Sequence, residues 1–225
     1  MTKSPRSQYE IKIVQDKILQ NAMDIIKEEG FDKLSMRNLA SRMNMSATNL
    51  YSYYSNKEGI LLALEIRAFE ELYQKLINSI ENKENHFEKL KACIRAYVEF
   101  GTDPNNIHIY DLMFNRFTPK LDDYIGTPHE KLARFSSDQA NRGLLVILQL
   151  VTEYANINPN LKGKNPILTT LRLWSELHGI ISFYNSGILL ELSHIINLNK
   201  SNLNPKSILD EVIKQLIFSI EKVEP

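Results

Sequence analysis

The chain has little of several things that mark whole classes of protein. It carries one cysteine, Cys93, in 225 residues. A lone thiol makes no internal disulfide, and cysteine-based zinc modules need several ligands, so neither framework fits. It has no net charge: 27 basic residues balance 27 acidic ones. That excludes a nonspecific nucleic-acid coat, which is basic overall. Long hydrophobic runs are missing too. The longest apolar stretch free of charge, Leu177 to Leu190, is broken by His178, two serines, Asn185 and two glycines. It is too short and too polar to span a bilayer. The first ten residues, MTKSPRSQYE, lack the apolar core of a signal peptide, so a cytoplasmic protein is expected. There is no phosphate-binding glycine loop, GxSxG or HExxH, and His86, His108, His129, His178 and His194 are dispersed. No catalytic residue, metal ligand or cofactor is expected.

What is present is helical periodicity. Hydrophobic residues make up 43% of the chain, enough for a real core. Ile11, Val14, Ile18, Ala22 and Ile25 recur at three- and four-residue steps, the signature of one helix face, and Gly30 ends the run. Ser35 caps a predicted helix to about Met43, and Ser46 caps another to about Tyr53. Asn44 falls at the turn between them, where a left-handed residue is often needed. Ser55 or Asn56 caps a long helix to about Asn82. Later helices are predicted at 86–101, 105–116, 129–156, 166–187 and 205–222. Pro104, Pro128, Pro166 and Pro205 stand at or beside four of those starts, where a missing N–H costs nothing. No alternating strand pattern of useful length occurs, so the fold class is all-α.

The stretch from Lys33 to Lys57, KLSMRNLASRMNMSATNLYSYYSNK, holds four basic residues and no acidic one. Two short capped helices joined by a tight turn make a helix-turn-helix, whose second helix lies in a DNA groove. Charge is the weaker half of this inference, because Tyr154 to Ser175 is also free of acid. The order of residues carries more: Leu39-Ala40 in one helix, Met45-Ser46 before the next, Leu50-Tyr51 within it, Tyr53-Tyr54 at its end, and Lys57-Glu58 opening the long helix.

On those residues the chain resembles the TetR family of bacterial regulators over about fifty positions, Ile11 to Leu62. The resemblance implies a three-helix DNA-binding domain over residues 1–56. A larger helical effector-binding and dimerisation domain would occupy 57–225. Tyr51, Tyr53 and Lys57 match family positions that touch phosphate, and Ser35 and Ser46 can do so besides capping. Ala47, Thr48 and Asn49 occupy the end of the recognition helix that reaches base edges, and Arg37 matches a position that can reach guanine. Thr48, Asn49 and Asn44 depart from the commonest family residues, which leaves the operator sequence open. The implied partners are a double-stranded, palindromic operator, a second copy of the chain and a partly apolar small molecule that releases the DNA. Control by a protein partner, or a helical enzyme, stay as alternatives.

The segment Trp174-Ser-Glu-Leu-His178-Gly179 resembles the WHG signature of one branch of the family's regulatory domains. Its spacing of four sets Trp174 and His178 on one helix face. They either border an effector pocket or pack as core. Tyr97, Phe100, Tyr110, Met113, Phe114 and Phe117 complete the pocket candidates. On the last helix Ile208, Leu209, Val212, Ile213, Leu216, Ile217 and Ile220 form an apolar stripe wide for a surface helix. By resemblance it contributes to a dimer interface, and burial within its own monomer explains part of it equally well.

Overall fold

The computed structural model describes residues 7–116, 121–195 and 204–221; the pocket candidate Phe117 lies outside them. The protein is all-α, and among the described residues there is no strand. Those residues form ten α-helices in order: α1 Gln8–Glu29, α2 Met36–Arg42, α3 Ala47–Tyr51, α4 Lys57–Ile80, α5 His86–Thr102, α6 Ile107–Asp111, α7 Glu130–Ile157, α8 Pro166–Asn185, α9 Ile188–Ile195 and α10 Pro205–Glu221. None of them is long and apolar enough to cross a membrane.

The local signals account for most boundaries. Ser7 opens α1 with a reciprocal capping box to Glu10, and Gly30 closes it at φ 90°. Asn56 Oδ1 accepts from Gly59 N at 3.0 Å and caps α4. Asn85 and Asn165 cap α5 and α8 in the same way. Pro166 and Pro205 are the first residues of α8 and α10. Two departures stand out. The helix expected at 105–116 is α6 followed by a π turn, Leu112–Arg116. A short helix with no counterpart among the predicted ones follows α8: Gly187, at φ 78°, turns the chain into α9.

The chain divides into two compact units. The first joins Met1–Glu70 to His108–Ala140, so the helix-turn-helix shares its unit with a later segment of chain. Its core gathers Ile18, Ala22, Ile25 and Ile26 of α1, Leu39 of α2, Leu50 of α3 and Ile60 and Leu64 of α4, with Leu112 from the later segment. The second unit holds Glu71–Ile107 and Asn141–Pro225. In it α8 packs against α5, α9 and α10, and Asn158 Nδ2 ties the end of α7 to the Ile220 carbonyl of α10 at 2.9 Å. Cys93 is fully buried there, and burial pushes its thiol up to about 12, so it is an inert core residue.

Candidate nucleic-acid interface

The helix-turn-helix is built by short-range chemistry. Ser35 Oγ accepts from Asn38 N at 3.1 Å and Ser46 Oγ from Asn49 N at 3.2 Å, so both serines cap their helices as their sequence positions predict. Each such cap contributes about 1 kcal/mol. Between the helices Asn44 takes φ 52°, and Met45 N returns to the Ala40 carbonyl at 2.9 Å. Asn is the turn residue because its left-handed conformation costs less than that of a β-branched or bulky residue. Leu39 and Leu50, both 0% exposed, lock the two helices onto the core.

What remains outside is the reading surface. Ser35, Arg37, Ala47, Thr48 and Tyr51 are exposed, and Asn49 and Tyr53 are half-buried. Ala47 and Thr48 are the first two residues of α3, the end that meets base edges in this motif. Tyr54 points the other way: it packs against the core, and burial pushes its hydroxyl up to about 12.

Two of the basic side chains have structural partners. Lys57 Nζ donates to the Phe31 carbonyl at 2.9 Å, which fastens the start of α4 to the α1–α2 connection. An ammonium has three donors, so two remain for phosphate. Arg42 forms a bidentate pair with Glu28, both bonds 2.8 Å, that clamps α2 to the end of α1. The pairing holds the Glu28 carboxyl below its ordinary value. Glu28 gave no signal from sequence, because the partner of a lone surface acid depends on the angle between helices.

The other candidates divide between the units. In the second, the Trp174 indole N–H donates to the Tyr97 hydroxyl at 3.0 Å, and the Trp174 and His178 rings lie 6.1 Å apart. Burial lowers the His178 pKa and favours the neutral ring. Further along α8, Asn185 Nδ2 donates to the Gly101 carbonyl at 2.8 Å. The Ser182 hydroxyl and the Asn185 side-chain oxygen Oδ1 are buried with no hydrogen-bond partner among the described residues. Tyr97 and Phe100 are core residues of this unit. Tyr110, Met113 and Phe114 belong to the first unit, where Phe114 meets Phe69 edge to face and Tyr110 at a tilt, at ring separations of 5.9 and 4.8 Å. On α10, Leu209, Ile213, Leu216, Ile217 and Ile220 are buried inside their own unit, Ile208 is half-buried, and Val212 is 36% exposed.

This geometry defines a helix-turn-helix transcriptional regulator. Residues 18–64 match the family model described as bacterial regulatory proteins, tetR family. Over those residues the chain is similar to that family. It is 26% identical over 176 residues to the HTH-type transcriptional regulator YobS of Bacillus subtilis, covering 78% of this chain and 79% of the relative. It is 31% identical over 74 residues to the biofilm operon negative regulator IcaR of Staphylococcus epidermidis, a third of this chain and 32% of that one. The crystal structure of FadR from Bacillus subtilis in complex with stearoyl-CoA superposes with a TM-score of 0.63 at 16% identity, over 91% of this chain and 97% of the other. That similarity is one of fold.

Proposed function

We propose that the protein is a homodimeric repressor that binds a palindromic operator and leaves it when a small molecule occupies the second unit. The observation that carries the DNA half is the exposed row Ser35, Arg37, Ala47, Thr48 and Tyr51 on two serine-capped helices whose other side is packed into the core. Residues 1–56 do the reading, and 57–225 supply the control. Phosphate contacts from Tyr51, Tyr53, Lys57 and the two serines set register and affinity, and Arg37, Ala47, Thr48 and Asn49 choose sequence. Repression is favoured by the similarity to IcaR, a negative regulator by name.

A second copy meets the side chains that α8 and α10 leave outside. Leu168 and Leu171 are 65% and 41% exposed, and Phe218 is 49% exposed. Leu168 and Phe218 line an open groove of about 1040 Å³. The buried half of the α10 stripe holds that helix to its own unit. A dimer sets two recognition helices about 34–36 Å apart, one helical turn of DNA.

The effector site is assigned to the α5–α8 seam of Tyr97, Trp174, His178, Ser182 and Asn185. Two buried polar atoms without partners among the described residues are costly unless something satisfies them. The remainder of the seam is aromatic, which suits a partly apolar molecule, and the FadR neighbour binds an acyl-CoA. An effector acts only through its different affinity for the DNA-binding and released states.

Selection of duplexes from a random-sequence library tests the DNA half, and enrichment of a two-fold palindrome is the expected outcome. Enrichment of nothing at low salt sinks it. A thermal-shift screen followed by displacement of the selected duplex tests the effector half. Ligands that stabilise the protein but never displace DNA contradict release.

A further inference from the structure

The first unit carries a second seam that DNA reading does not use. One side of α4 packs into the helix-turn-helix core through Ile60, Leu61 and Leu64. Another side faces the later segment of the same unit, the 3₁₀ turn Leu121–Tyr124 and the first turns of α7, in a small apolar cluster of Leu62, Tyr124 and Ala133. Polar pairs flank this cluster. The Tyr124 hydroxyl donates to Glu58 at 2.9 Å, and the Ser136 hydroxyl donates to Glu65 at 2.7 Å. His129 Nε2 is 3.5 Å from Ser55 Oγ. The His129 ring lies so close on the first turn of α4 that a Cβ at Gly59 would come within 3.1 Å of its Cε1.

Glu65 is the anomaly. Its side chain is 5% exposed, and Ser136 is its hydrogen-bond partner among the described residues. Glu58 stands two turns earlier on the same side of α4, and Asp123 and Tyr124 approach from the 3₁₀ turn. Immediately before α7, His129 is the titratable group packed into the seam; on α7, Glu130 and Arg134 are occupied with each other at 2.8 Å on the exposed side. Among the described residues no cationic side chain pairs with Glu65. A buried carboxylate without a cation is expensive, whereas a neutral carboxyl bonded to a hydroxyl is not.

We propose that this seam is a proton-controlled latch: neutral Glu65 holds residues 121–136 on α4, and ionised Glu65 favours their release. The two sides of α4 link the latch to the DNA-reading core, because the turns that carry Glu58 to Glu65 also carry Ile60, Leu61 and Leu64. An open latch removes the support of that helix on one side, and operator affinity falls.

Burial pushes Glu65 up to about 7 from an ordinary 4.5. A released, hydrated Glu65 returns to the ordinary value, so latch opening rises about tenfold per pH unit between those limits and levels off above them. Hydrogen exchange followed by mass spectrometry reads this in the full-length protein. Between pH 5 and pH 7, protection factors of peptides within 121–136, corrected for intrinsic exchange, fall steeply in the wild type. They stay level in Glu65→Gln, which is neutral throughout. Ser136→Ala removes the bond that lowers the Glu65 pKa, so its plateau moves to higher pH. Affinity for the library-selected duplex follows the same profiles. Equal pH dependence in wild type and Glu65→Gln, or none in the wild type, overturns the latch. Exchange needs no DNA, so a failed operator reading leaves the latch test decisive by itself.

Discussion

Lys57 Nζ donates to the carbonyl of Phe31, 26 residues earlier, at 2.9 Å. The residue that the family resemblance assigns to phosphate therefore also closes the helix-turn-helix. Lys57→Ala should do two separable things. It should lower stability by about 1.5–3 kcal/mol, the usual worth of a hydrogen bond to a charged group. It should also reduce the salt dependence of DNA binding by about one unit of slope. Urea denaturation and binding over a salt series measure the two. A stability loss with an unchanged slope would restrict Lys57 to the structural role.

The base-reading assignment makes a different demand. Asn49 is half-buried and its backbone N–H is spent on the Ser46 cap, so its amide side chain is the part left for a base. Asn49→Ala should relax sequence preference at one position of each half-site, at about 1–3 kcal/mol for the preferred base. Ser46→Ala should weaken binding to all duplexes alike and cost about 1 kcal/mol of stability through the lost cap. Repeating the library selection with both variants separates them. A uniform loss for Asn49→Ala contradicts its role.

The contrast between these two residues and Glu65 shows what is readable in the chain. Ser35, Asn44 and Ser46 act within three or four residues of themselves, so their type and spacing are enough to assign caps and turn. The periodicity of α1 is equally local. Glu65 and Ser136 lie 71 residues apart, Tyr124 and Glu58 66 apart, and Trp174 and Tyr97 77 apart. None of those pairings leaves a spacing signal, because each depends on how the chain returns. The return of residues 108–140 to the unit of the helix-turn-helix is invisible for the same reason. The stripe on α10 shows the converse. Its period marks an apolar face, and period alone does not say whether the neighbour is the same chain or another copy.

Trp174 is the sole tryptophan, so it reports on the second unit without interference. Tyr97→Phe removes the hydroxyl that accepts the indole N–H. The expected cost is about 1 kcal/mol in denaturation followed by Trp174 emission, with a shift of the native emission maximum. Ligands that act at the α5–α8 seam should alter that emission in the wild type and bind more weakly to Tyr97→Phe. An effector that displaces DNA while leaving Trp174 emission unchanged would put the site elsewhere.

Glu65 and His178 give stability two opposite dependences on pH. The folded state holds the Glu65 proton more tightly than the unfolded chain does, since burial raises the pKa from 4.5 to about 7. Its contribution is therefore complete below the unfolded value and is lost as pH rises to about 7, roughly 3 kcal/mol in all. His178 is shifted the other way: burial lowers its pKa below 6.5, so the unfolded state binds the proton more readily. Its contribution is present above 6.5 and is lost as pH falls through that value toward the folded one. Denaturation curves between pH 4.5 and 8 should show the wild type minus Glu65→Gln difference declining with pH. The wild type minus His178→Asn difference should rise instead. A flat difference curve for either variant would mean that the group is solvated in the folded protein.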